Sequence, residues 1–230
     1  MKPTALVLPL LMTARLYALP APETHVFKRV GSLEIKADVY QPAAARGPRP
    51  VVVYMHGGSL IGGGREKISK MRLADTFLGA GCVVVSIDYR LAPETKLPGL
   101  VSDVEDAFRW VRERGPALFD ADPARVAAWG SSAGGYLAFV AGFRVEPRPR
   151  VVLSEFGYAD IVGPWQTEPS RHPDHYKYPH TTREEAWSLV SGPPIANVKD
   201  RPTDTSAFNG YIRRHGQWPK ALTGWDPLTE

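Results

Sequence analysis

The sequence predicts a mostly parallel α/β sheet flanked by helices, and three observations carry that expectation. Residues 51–55 (VVVYM) and 82–87 (CVVVSI) are continuous apolar runs, as strands covered on both faces require. Helical patterns alternate with these runs, which implies βαβ units. The segment Gly130-Ser131-Ser132-Ala133-Gly134 stands between a predicted strand and a predicted helix, where a parallel sheet makes its sharpest turns.

The elements follow in order. Residues 26–31 and 33–40 read as two strands around a turn at Gly31-Ser32, and 41–50 as a Pro/Ala/Gly loop. After the strand at 51–55, residues 70–78 read as a helix ending at Gly79, and 82–87 as the next strand. Residues 98–114 place Leu100, Val101, Val104, Ala107, Phe108 and Val111 at helical spacing on one face, with Gly115 as the expected stop. Residues 125–129 form a third short strand of this series, 133–143 a helix of small residues, and 151–153 begin a fourth. Beyond Asp160 the texture changes: four of the six tryptophans lie there, with dense Pro and polar residues. Thr182-x-x-Glu185 is a capping box opening a short helix through Val190, and Phe208, Tyr211 and Ile212 suggest another. The expected organisation is an extension at 1–22, an α/β core at 23–160 and a lid-like elaboration at 161–230.

Composition limits the function classes. The chain has 230 residues, 43% hydrophobic and 23% charged, which are ordinary globular values. Lys and Arg number 28 against 24 Asp and Glu, a net charge of +4, and no basic block offers a nucleic-acid footprint. A single cysteine, Cys82, excludes an internal disulfide. No apolar run approaches the ~20 residues of a membrane span. The apolar run at 5–12 behind Lys2 resembles a signal-peptide core but lacks a clean cleavage site. The cytoplasm is therefore the expected compartment, with secretion as the alternative.

Gly130 to Gly134 matches G-x-S-x-G in its strand–turn–helix context. A serine on such a turn projects its hydroxyl above the sheet, and small neighbours let strand and helix approach. Ser132 is the candidate nucleophile, and the Ala133 N–H, at a helix start, a candidate oxyanion donor. His56-Gly57-Gly58 follows directly on the strand at 51–55, where side-chain-free backbone can present the N–H groups of Gly57 and Gly58 to a developing oxyanion. His56 is expected to brace that loop. A phosphate-loop reading of the glycines from 57 to 64 fails, because no G-x-x-x-x-G-K-[ST] is present.

Three segments carry a family resemblance: YMHGGS at 54–59, DYRLAPE at 88–94 and GSSAGGYLA at 130–138. In order and spacing they resemble the hormone-sensitive-lipase-like and related carboxylesterase group of α/β-hydrolases. The resemblance covers residues 26–160 well and the rest loosely. It implies ester hydrolysis at Ser132, small-molecule ester substrates, no cofactor and no metal. For Asp88, Arg90 and Glu94 it implies a structural role, holding the loop beside the oxyanion site, for which a buried Arg–carboxylate pair is the physical means. The third position after His56 is Ser59 where the family has glycine.

A serine hydroxyl needs a histidine base, and the base needs an orienting carboxylate. Only 98 residues follow Ser132, and the family's later strands, with their acid and histidine, are not found in them. The chain therefore looks C-terminally truncated. His215 is expected at a helix end. His172, His175 and His180, with Asp174, sit among prolines that break fixed ligand geometry. No triad acid or base is assigned. Two main readings remain: an esterase-type serine hydrolase with impaired turnover, or an inactive truncated homologue that is a binding protein or a gene fragment. A peptidase of the same fold is a third, which the DYRLAPE and HGG segments disfavour.

Overall fold

The computed structural model describes residues 19–43 and 47–226. Six strands form one sheet: β1 (Glu23–Val30), β2 (Leu33–Tyr40), β3 (Arg49–Met55), β4 (Val83–Ile87), β5 (Ala121–Ser131) and β6 (Val152–Glu155), in the order β1-β2-β4-β3-β5-β6. The β1–β2 and β2–β4 pairs are antiparallel, and the β4–β3–β5–β6 run is parallel. The mixed sheet agrees with the predicted class.

Alternation along β3 makes two cores. Val51, Val53 and Met55 face the larger one with α2 (Leu97–Phe119) and α3 (Ala133–Arg144), while Val52 and Tyr54 face a smaller one with α1 (Arg72–Gly79). Continuous β-branched runs are what a strand covered on both faces needs, hence VVVYM and VVVSI. Register then levels the parallel strands: Met55 lies opposite Ile87 on one side and Gly130 on the other. The segments starting at His56, Asp88 and Ser132 therefore leave the sheet at one edge, the C-terminal edge where open α/β sheets bind ligands.

Past β6 come short helices, α4 (Pro164–Thr167), α5 (Arg183–Ser188), α6 (Ser206–Arg214) and α7 (Trp218–Thr223). The capping box at Thr182 and Glu185 is present in both directions, although α5 ends at Ser188 rather than Val190.

Several boundaries differ from expectation for local reasons. The helix expected at 70–78 is a 3-10 turn, Arg65–Lys70, then α1, because Met71 between them is extended. Gly115 does not stop α2. It is a packing glycine, where a Cβ would stand 2.8 Å from the Ala121 Cβ, and the helix runs on until Asp120 adopts φ 51°. Strand β5 is longer than 125–129, because Ala121 pairs with Arg49 across an irregularity in the ladder. The signal-like run at 5–12 lies outside the described residues. Among the described residues no strand follows β6, and no helix is long and apolar enough to cross a membrane.

Candidate active site

Ser132 stands between β5 and α3 with φ 54° and ψ −118°, a conformation a residue with a side chain adopts only when its surroundings enforce it. The enforcement is visible. A Cβ on Gly130 would lie 2.0 Å from the Gly134 carbonyl oxygen, and one on Gly134 would lie 2.0 Å from that of Met55. Only glycine permits these approaches, so α3 is pressed against the ends of β3 and β5. The Ser132 N–H donates to the Glu155 carbonyl at 2.9 Å, tying the turn to β6. Ala133 opens α3, so its N–H has no intrahelical acceptor.

The His56–Gly58 segment packs directly on this turn. A Cβ on Gly57 would meet the Ser132 Cβ at 3.1 Å and the Ser131 carbonyl oxygen at 2.9 Å. Gly58, Ser59 and Leu60 then take φ of 137°, 58° and 61°, three successive positive values. Groups from distant segments hold the strained loop. The Ala92 N–H donates to the Leu60 carbonyl at 2.9 Å, and the Trp218 indole N–H to the Ser59 carbonyl at 3.1 Å. Arg201 donates to the Ile61 carbonyl.

His56 is held inside this loop. It is fully buried, its Nδ1 lies 3.0 Å from the Gly57 carbonyl oxygen, and its ring stacks on Tyr89 at 4.3 Å. The Tyr89 hydroxyl donates to the His56 carbonyl at 2.6 Å. Burial pushes the imidazole pKa down to about 4, so it is neutral at pH 7.

Asp88, Arg90 and Glu94 do form buried Arg–carboxylate contacts, but with three separate partners. Asp88 accepts from the Arg65 N–H at 2.8 Å, the Arg65 guanidinium at 2.6 Å and the Asn197 amide at 3.1 Å. Burial pushes its carboxyl up to about 6, against the pull of these donors. Arg90 grips both oxygens of the fully buried Asp103. Glu94 takes both arms of Arg201, at 2.8 and 2.7 Å. Only the last pair touches the loop after Gly58, through the Ile61 carbonyl.

Ser132 opens into a cleft of about 660 Å³ whose walls include Ser59, Tyr158, Trp165, Gln166 and Arg213. His172 and His175 also line it, whereas His180 and His215 are exposed and lie outside it. The His175 Nδ1 is 2.6 Å from the Ser170 hydroxyl, and the His172 Nδ1 accepts the Asp174 N–H. Among the described residues no histidine nitrogen is hydrogen-bonded to the Ser132 hydroxyl, and no three His, Cys, Asp or Glu side chains are grouped to hold a metal ion. Motif reading missed Arg201, Trp218, Tyr158, Gln166 and Arg213. None belongs to a local pattern, and only their positions in the fold bring them to the site.

A family model described as BD-FAE matches residues 37–159. Carboxylesterase NlhH of Mycobacterium tuberculosis is 41% identical over 123 residues, covering 52% of this chain and 38% of that protein. The non-reducing polyketide synthase pkbA of Emericella nidulans is 32% identical over 201 residues, 82% of this chain but 8% of the synthase. The chain thus spans only a small part of the length of the polyketide synthases it matches. A crystal structure of an alpha/beta hydrolase superfamily protein from Enterococcus faecalis superposes with a TM-score of 0.65 at 20% identity, covering 87% of this chain and 67% of that one.

Proposed function

The chain belongs to BD-FAE, an α/β-hydrolase-type family, and on that footing we propose that it is a serine hydrolase of carboxylic esters with Ser132 as nucleophile. The observation that supports this most is the strained Ser132 turn set in the wall of a ligand-sized cleft. In the proposed reaction the Ser132 oxygen attacks the ester carbonyl carbon, the alcohol leaves with a proton, and water releases the acid from the acyl-serine. The oxyanion is met by the N–H groups of Gly57, Gly58 and Ala133. Removing one such donor typically costs ~10²–10³ in rate. Residues past Asp160 act as the cover of the acyl pocket, with Trp165 over the cleft.

Turnover by residues 1–230 is proposed to be weak. Catalytic residues act as a unit, and losing the base costs about as much as losing the serine, ~10⁶ in a well-studied protease. The second reading, a homologue that binds without turning over, draws on the same observation: no described histidine partners the Ser132 hydroxyl.

The test is hydrolysis of p-nitrophenyl acetate and butyrate beside Ser132→Ala. Slow hydrolysis that Ser132→Ala abolishes is expected. Rates equal in the two proteins leave the binding reading. Ser132-dependent turnover of ~1 s⁻¹ or more, the low end of ordinary enzymes, overturns the impairment. His172→Ala and His175→Ala are then the variants to make, because those two side chains line the cleft.

A further inference from the structure

The cleft beside Ser132 holds a cationic corner that ester hydrolysis alone does not need. The Arg213 guanidinium lies 4.2 Å above the Trp218 ring and donates to the Gln166 side-chain oxygen. Its electrostatic neighbours are the Tyr158 and Tyr178 hydroxyls and the His175 ring rather than any carboxylate. It makes no ion pair among the described residues, although burial of a charge normally calls for one. Burial lowers its pKa only to about 10, so it stays charged at neutral pH.

Three donors at this corner have no partner. The Arg213 Nε, the Gln166 amide nitrogen and the Tyr158 hydroxyl are all buried and unbonded, and Gln166 is only 2% exposed. Buried donors are normally satisfied, so an unpaired cation with an orphaned nitrogen of its own and two orphaned neutral donors beside it describes the outline of an acceptor. The remaining charges on the wall do not supply it. Glu168 is exposed and sits 4.0 Å from Arg171, and His172 and His175 are engaged with Asp174 and Ser170.

We propose that Arg213, Gln166 and Tyr158 form an anion subsite of the Ser132 cleft, and that the ligand is an ester carrying a free carboxylate, such as a half-ester of a dicarboxylic acid. The proposal rests on the reading of Ser132 as the reacting centre. A carboxylate suits the corner because a guanidinium edge and two neutral donors, the Gln166 amide and the Tyr158 hydroxyl, match its oxygens. The apolar face of Trp165, half-exposed in the cleft wall, then flanks the carbon chain.

The experiment is calorimetric binding to the Ser132→Ala protein, which separates recognition from turnover. The probes are monoethyl glutarate and its neutral counterpart, diethyl glutarate. Charge-assisted hydrogen bonds predict that the anionic half-ester binds at least about 10-fold tighter. In Ser132→Ala/Arg213→Met that preference should vanish, while in Ser132→Ala/Arg148→Met, a change at an exposed arginine outside the cleft, it should persist. Should Arg213→Met not fold, Gln166→Leu is read instead, and its preference should fall several-fold. Equal binding of the two probes, binding of neither, or a preference that survives both Arg213→Met and Gln166→Leu overturns the proposal. Preference without any esterase activity in the unmodified protein would instead remove the hydrolytic reading and leave the subsite standing.

Discussion

Arg201→Met should be among the most damaging single changes outside the Ser132 turn. The Arg201 and Glu94 side chains are each only 2% exposed, and the guanidinium also donates to the Ala92 carbonyl at 2.8 Å and to the Ile61 carbonyl. Removing one partner of a buried pair strands the other charge, at about 3–5 kcal/mol. For a chain of this length each kcal/mol moves the melting temperature by roughly 2–4 °C, so a fall of at least roughly 6–12 °C follows. Arg201→Met/Glu94→Leu removes both charges and should recover much of the loss. It should not recover all of it, because each carbonyl left without a donor still costs about 1–3 kcal/mol. Urea unfolding followed by tryptophan fluorescence measures the three proteins, with the midpoint as readout. A single variant within about 1 kcal/mol of the parent, or a double variant no better than the single, would refute the view that this pair clamps the loop after Gly58.

Gly134→Ala should fail more abruptly, because its Cβ would meet the Met55 carbonyl oxygen at 2.0 Å, a backbone atom with nowhere to go; normal yield and an unchanged melt would contradict the pressed-turn geometry. His56 gives the pH dependence. Its folded pKa of about 4 lies below the ordinary 6.5, so its contribution is fully present above pH 6.5, fades as acid protonates the unfolded chain, and is gone once the folded form also protonates below about 4. The total is about 3 kcal/mol, and His56→Gln should flatten urea midpoints between pH 7 and 4 relative to the parent; parallel curves would dismiss it. Trp218→Phe removes the 3.1 Å bond to the Ser59 carbonyl while keeping most of the packing. It should cost about 1–2 kcal/mol and reduce whatever Ser132-dependent hydrolysis the parent shows, and a variant equal to the parent in both would remove Trp218 from the loop's support.

The legible parts of this fold are those that sequence neighbours determine. The VVVYM and VVVSI runs announce strands covered on both faces, because nothing but two apolar layers tolerates them. Gly130 and Gly134 announce the pressed turn, because the clash they avoid is with backbone a few residues away or at the end of the adjoining strand. Gly115 was misread for the complementary reason. A glycine after an amphipathic run looks like a terminator, yet its lost side chain makes room for Ala121 and Phe119, and no periodicity distinguishes the two uses.

What was not legible is the identity of long-range polar partners. Asp88, Arg90 and Glu94 lie within seven residues, yet none of them pairs with another. Their actual partners are Arg65, Asp103 and Arg201, the last 107 residues from Glu94. A charged side chain carries no periodic trace of which opposite charge it will meet, because a salt bridge needs only the final position of two terminal groups. The same holds for the anion-seeking corner. Arg213 sits on α6, Gln166 on α4 and Tyr158 between β6 and α4, and α6 alone reads as an ordinary amphipathic helix with a basic end. Backbone strain at the Ser132 turn is thus encoded locally, in glycines, while much of the support of the loop after Gly58 and the lining of the cleft are encoded by single residues of the region after Asp160. A ligand preference can therefore change by substitutions there, at Gln166 or Arg213, without disturbing any segment that identifies the family.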